Sequence, residues 1–266
     1  MIKMKQIQIE QSCACEPEEC DTFQFMAKKL GMKVLHPGGL DATETLAERC
    51  GISRNMTILD AGCGSGSSSI FLARRYGCRV IGADIDQSLL LKAYEAALKR
   101  RIADKAAFRL ADIHDLPFPD ETFDGAITQA TLIFTEKPKA LQMLFQKIRP
   151  EGFIGVVELA WKSPPPNQVI KRVQEVLCEA AVNAELHTGW ISLLTQSGFE
   201  VVDSELRNLN FSFQGMLRNE GLLSTLKIAL KTIRDEAVKK KTEDVTGLFK
   251  ETGKYLGYGI YIGRRP

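Results

Sequence analysis

The sequence predicts an α/β protein with a mostly parallel sheet of seven strands, helices on both faces and added helical cap elements. Three observations predict it. From residue 56 onward, short apolar runs alternate with longer stretches of helical spacing. Two of the runs, residues 56–60 and 78–84, end in an acid, and glycines follow the first at once. Runs this apolar suit strands buried on both faces, as in a parallel sheet covered by helices. Right-handed crossovers gather the carboxyl ends of such strands at one edge, where ligands of open α/β sheets bind.

Taken in order, residues 1–17 read as a weakly ordered arm and residues 18–50 as helices with a turn at His36-Pro37-Gly38-Gly39. Leu40, Thr43, Leu46 and Ala47 keep helical spacing on one face of the second helix, with Asp41 acidic at its start. The first strand, 56–60, is followed by a helix through Ile70, Phe71, Leu72 and Tyr76. The second strand is 78–84, followed by a helix over 87–101. Strands at 106–111 and 122–129, a helix at 136–147 and a fifth strand at 152–159 continue the alternation. Trp161-Lys162-Ser163-Pro164-Pro165-Pro166 is a stiff, extended connector. Beyond it come a helix over 167–186, a short one over 189–197 and a sixth strand from Phe199. A largely helical stretch at 214–250 carries Leu223, Leu226, Leu230, Ile233 and Ala237 on one face, and the last strand is 258–263. The expected organisation is an N-terminal arm and helix over 1–30, then one domain over 31–266. Helical insertions fall at about 163–188 and 212–250 in it.

Charge nearly cancels, with 35 Lys and Arg against 33 Asp and Glu in 266 residues, so no basic stripe points to a nucleic-acid partner. No apolar stretch reaches the ~20 residues that span a bilayer, and no membrane partner is expected. The start, MIKMKQIQIEQ, has no apolar signal core, which predicts a cytoplasmic protein, monomeric or homodimeric. Seven scattered cysteines do not form a disulfide framework. Cys13, Cys15 and Cys20 form C-x-C-x4-C without the second pair of a zinc site, so no metal is expected.

The segment Leu59-Asp60-Ala61-Gly62-Cys63-Gly64-Ser65-Gly66 lies between the first strand and its helix. A dinucleotide fingerprint, G-x-G-x-x-G/A, fails on it: counted from Gly62 the last position is Ser67, and from Gly64 it is Ser69. A P-loop fails too, because no Lys follows Gly64 or Gly66. What stands is an acid followed by G-x-G-x-G. This segment resembles motif I of the class I S-adenosylmethionine-dependent methyltransferases, small-molecule members of the methyltransferase type 11 kind. The resemblance implies a Rossmann-like fold. It also implies that Gly62, Gly64 and Gly66 lie against the methionine portion of S-adenosylmethionine and that Asp60 serves its amino group. An acid, not a Lys, suits a sulfonium and ammonium ligand.

Asp84 ends the second strand, where a carboxylate can accept from both hydroxyls of a ribose, while Asp86 or Ser88 caps the following helix. The resemblance further implies that Ile85 packs on adenine, that Asp112 bonds the adenine amino group with Ile113 beside the ring, and that Gln129 faces the sulfonium region. Through His36-Pro37-Gly38-Gly39, which looks like a loop of amine methyltransferases, Gly38 and Gly39 would lie near the cofactor carboxylate. Catalytic candidates are His36, Gln129, Glu158 and Trp161, with His187 a weaker one. Relatives of this kind methylate quinone precursors, sterols, small amines or arsenite. The arsenite branch would carry a cysteine where this chain has Thr128-Gln129. The expected function is methyl transfer to a small-molecule acceptor. An inactive S-adenosylmethionine-binding module and a metalloid methyltransferase using the N-terminal cysteines are the alternatives.

Overall fold

A computed structural model describes residues 22–209 and 213–266, so the expectations for the N-terminal arm and for Cys13, Cys15 and Cys20 lie outside the described residues. The strands are β1 (Thr57–Ala61), β2 (Arg79–Asp84), β3 (Ala106–Leu110), β4 (Phe123–Gln129), β5 (Ile148–Trp161), β6 (Glu185–Leu186), β7 (Glu200–Asn208) and β8 (Leu256–Arg264). They form one sheet in the order β3-β2-β1-β4-β5-β8-β7, with the two-residue β6 added beside the end of β5. All pairings are parallel except those of β8, which runs antiparallel to β5 and β7.

The helices are α1 (Thr22–Gln24), α2 (Gly39–Cys50), α3 (Ser67–Tyr76), α4 (Gln87–Lys99), α5 (Lys137–Lys147), α6 (Asn167–Val176), α7 (His187–Gln196), α8 (Phe213–Glu220), α9 (Leu222–Arg234) and α10 (Glu236–Thr252). A π-helical turn, Phe25–Leu30, continues α1. The period of two in β1 explains the layering. Ile58 joins the core layer of Leu46 and Leu72, whereas Leu59 joins the opposite layer with Leu141, Leu144 and Trp190.

Three elements differ from their sequence reading. The expected helix over 167–186 ends at Val176, where the Val176 carbonyl accepts from the Thr22 hydroxyl and Lys241 Nζ and the Leu177 carbonyl from Thr22 N–H. Those partners satisfy the helix end, and a 3₁₀ turn (Glu179–Asn183) and β6 replace the rest. The fifth strand is longer than 152–159 at both ends, held by β4 on one side and nine partners of β8 on the other. Finally, the helical stretch after 213 divides at Gly221 (φ 80°) and at Asp235, whose carboxylate caps α10 by accepting from Val238 N–H at 3.1 Å. Within it α9 buries Thr225 and Ile228, so its leucine face looks outward and Ala237 belongs to the next helix.

Candidate active site

The carboxyl ends of β1, β2 and β4 and the loop after β3 open into a cleft of about 500 Å³ lined by Asp60, Asp84, Asp112 and Gln129. Asp60 is buried and accepts a 2.5 Å bond from the Ser69 hydroxyl of α3. Burial raises its carboxyl to about 6, against the opposing effect of Ser69. The turn that follows has Gly62, Gly64 and Gly66 at φ 79°, 52° and 73°, each for a different steric reason. A Cβ at Gly62 would strike the Thr131 hydroxyl, and one at Gly66 would lie 2.7 Å from Ala93 and Phe108. At Gly64 a Cβ would meet nothing within 4 Å. Gly62 and Gly64 line the cleft; Gly66, contrary to its expected ligand contact, packs the turn onto α4 and β3.

Asp84 ties the glycine turn to the start of α4. One carboxylate oxygen accepts Gly64 N–H at 2.7 Å, the other Asp86 N–H at 2.9 Å. Burial pushes this carboxyl up. Asp86, rather than Ser88, caps α4 through Ser88 N–H and Leu89 N–H. Ile85 is 74% exposed at the rim of the cleft. Asp112 accepts from His114 N–H at 2.9 Å and faces His114 Nδ1 at 2.8 Å. These bonds hold its carboxyl below the ordinary range, the backbone bond first. Because His114 Nε2 accepts from Glu136 N–H, the neutral ring carries its proton on Nδ1 and donates to Asp112. Ile113 is buried on the cleft wall.

A second polar cluster closes the other end. Gln129 Nε2 donates to Ser68 Oγ at 2.7 Å, and the Thr43 hydroxyl donates to Gln129 Oε1 at 3.0 Å. Ser68 Oγ lies 3.2 Å from His36 Nε2, and His36 Nδ1 lies 3.2 Å from the Pro37 carbonyl. The carbonyl can only accept, so Nδ1 bears the proton and Nε2 accepts from Ser68. Burial lowers this imidazole to about 4, leaving it neutral. The Lys33 carbonyl accepts from the Ser65 and Ser67 hydroxyls, while Lys33 N–H and Val34 N–H donate to the buried Glu220 carboxylate. The segment before His36 is thus strapped between the glycine turn and α8.

Past His36 lies a cavity of about 350 Å³ whose wall includes Met26, Met32, Leu159, Met216 and Phe249. Phe23, Val34, Leu35 and His36 line both spaces. Arg207 borders the cavity, but both of its forks reach Glu205, at 2.7 and 2.8 Å, so its charge is met inside the protein. Gly38 and Gly39 lie on this side, not in the cleft where a cofactor carboxylate was expected. Gly38 starts α2 in the left-handed region under Tyr258, and Gly39 lies against Asn219 of α8, so backbone packing explains both glycines.

Of the catalytic candidates, only His36 and Gln129 reach the cleft. Glu158 is fully buried behind it, where one oxygen accepts Thr131 N–H at 2.7 Å and Leu132 N–H at 2.6 Å and the other has no partner. Burial pushes its carboxyl up to about 8. Trp161 is core, paired with Leu256 and Leu186 across the sheet. His187 stacks against Tyr261 and shares a 3.2 Å bond with its hydroxyl. Sequence reading missed Thr43, Ser68, Thr131 and Glu220. The run Ser67-Ser68-Ser69 behind the glycine turn was the available signal. Among the described residues no group of three or more His, Cys, Asp or Glu is arranged to hold a metal.

Comparisons with known proteins bear on the family and the fold. The family described as "Methyltransferase domain" matches residues 58–152, the span from β1 through the start of β5. An uncharacterized protein of Haemophilus influenzae is 29% identical over 230 residues, 85% of this chain and 89% of its own. Methyltransferase GfsG of Streptomyces halstedii is 26% identical over 235 residues, 87% of this chain and 82% of its own. The crystal structure of MccD protein superposes with a TM-score of 0.72 at 18% identity, covering 87% of this chain and 99% of that one, a likeness of fold. Together these likenesses support a class I S-adenosylmethionine-dependent methyltransferase.

Proposed function

We propose that the cleft binds S-adenosylmethionine and that the neighbouring cavity takes a small, largely apolar methyl acceptor. The observation that carries this reading is the convergence of Asp60, Asp84 and Asp112 on one cleft beside a glycine turn, with no lysine in the turn. The donor set fits the cofactor. Asp84 would take the ribose hydroxyls, Asp112 and Ile113 the adenine with Ile85 over its ring, and Asp60 the ammonium end. Gly64 supplies a surface that a Cβ would fill.

When bound, the cofactor supplies an activated methyl group that leaves its sulfonium by in-line displacement. What the chain adds is position. The network of Gln129, Ser68, Thr43 and His36 fixes the wall between cleft and cavity, so an acceptor held past His36 is aimed at the sulfonium region. Orientation of this kind is worth effective molarities of about 10⁵–10⁸ M. His36, neutral and with both nitrogens engaged, is a weak base. That suits an acceptor whose lone pair is free on arrival, such as an amine, thiolate or phenolate. Phe23 and Phe134, edge to face at 5.2 Å, help keep water from the cleft.

Incubation with methyl-labelled cofactor and fractionated small-molecule pools tests the proposal. We expect one fraction to gain label in step with S-adenosylhomocysteine. Cofactor that binds but yields neither S-adenosylhomocysteine nor a labelled acceptor would favour a binding module instead. The glycines give a sharper internal test. Gly66→Ala combines left-handed strain with overlap on Ala93 and Phe108, costing about 2–5 kcal/mol of stability by denaturant melting. Gly64→Ala costs only about 1–2 kcal/mol of stability, yet lowers cofactor affinity at least tenfold. Equal losses of affinity and stability in the two variants would remove Gly64 from the cofactor surface.

A further inference from the structure

Helix α9 carries its leucines on the outside. Leu223 is 76% exposed and Ile233 75%, and Leu222, Leu226 and Leu230 are all about half exposed or more. At ~100° per residue these five fall within an arc of about 100°. Lys227, Lys231 and Arg234 occupy the adjoining arc, and the helix contains no acid. Its opposite side, Thr225 and Ile228, is what packs on the protein. The basic edge runs along another basic segment: Lys231 Nζ donates to the Lys29 carbonyl, and Lys33 Nζ donates to Ser224 Oγ at 2.8 Å. A groove of about 740 Å³ beyond that segment is walled by Arg74, Lys92 and Arg100, which extends the positive sign.

We propose that α9 lies in the plane of an anionic bilayer surface, its leucine stripe in the acyl boundary and its cations among the headgroups. An apolar stripe edged by cations on a helix with no acid is the composition of an interfacial helix. A second copy of this chain packed antiparallel through α9 is a poorer occupant, because that two-fold contact sets three cations against the same three. No described helix is long and apolar enough to cross a membrane, a limit that does not apply to a helix lying flat. α9 joins α8 and α10, which supply Met216 and Phe249 to the apolar cavity. Docking would therefore set the acceptor cavity beside lipid, a consequence that rests on the methyl-transfer reading, whereas docking itself does not.

Co-sedimentation of the full chain with phosphatidylglycerol–phosphatidylcholine vesicles, against phosphatidylcholine alone, tests it. We expect binding to the anionic vesicles only, weakened by salt. The double variant Leu223→Glu/Ile233→Glu should lose at least tenfold of it, with melting temperature and cofactor affinity unchanged. Leu98→Glu, an exposed leucine on α4, should bind as the native chain does. Absence of binding to anionic vesicles, or binding indifferent to the α9 variant, would overturn the proposal. So would light scattering that shows a dimer which the α9 variant abolishes. Cofactor affinity is read in the same preparations, so a failed cofactor site and a failed docking face give different results.

Discussion

Replacing Asp84 with alanine should weaken S-adenosylmethionine binding by about 100-fold or more in a calorimetric titration. The carboxylate stands at the end of β2 with both oxygens already organised, one by Gly64 N–H and one by Asp86 N–H. Each oxygen retains a lone pair for a ribose hydroxyl. Bonds to a charged acceptor are worth about 1.5–3 kcal/mol each, so loss of two removes about 3–6 kcal/mol. The Gly64 bond goes as well, which loosens the turn. The fold should survive, because Asp86 caps α4 independently. Asp84→Asn keeps the shape and one acceptor, so it should fall between the native chain and alanine. Unchanged affinity in the alanine variant would remove the ribose assignment.

The second large effect concerns Glu158 and runs against the usual direction for acids. Its carboxyl ordinarily titrates near 4.5, but burial raises it to about 8 in the folded chain. The folded state therefore holds its proton more tightly than the unfolded state. The associated stability is complete below about pH 4.5, declines as pH rises, and is gone above about pH 8. Asp60, raised from 3.8 to about 6, adds a decline of the same sign in a lower window. At 1.36 kcal/mol per unit, the Glu158 contribution is on the order of 5 kcal/mol. Glu158→Gln keeps an acceptor for Thr131 N–H and Leu132 N–H but cannot ionise. The variant should match the native chain within about 1 kcal/mol at pH 5 and exceed it by about 3 kcal/mol or more at pH 9, read by denaturant melting. Parallel pH profiles for the two would show that Glu158 ionises in place without cost.

What could be read from the sequence followed the reach of each interaction along the chain. The parallel sheet and the cleft at its edge come from apolar runs that end in Asp60 and Asp84, a pattern written within a few residues. The Asp86 cap is equally local, since its partners are two and three residues away. The cluster of His36, Thr43, Ser68 and Gln129 is not local. It joins the turn before α2 with α2, α3 and β4, and only the serine run behind the glycine turn hints at it. Gly38 and Gly39 looked like ligand contacts because glycine frees backbone for any close neighbour, and the neighbours proved to be Tyr258 and Asn219. The break after Val176 depends on Thr22, 154 residues away. In α9 the periodicity marked an apolar face correctly as a face, but period alone does not say whether protein or solvent meets it.

The most direct measurement is a crystal structure of the chain with S-adenosylhomocysteine. We expect the ribose hydroxyls on Asp84, the adenine between Ile85 and Ile113 with its amino group at Asp112, and the amino-acid end beside Asp60 and Gly64. A nucleoside bound outside this cleft, or one inside it with the ribose turned away from Asp84, would contradict that arrangement.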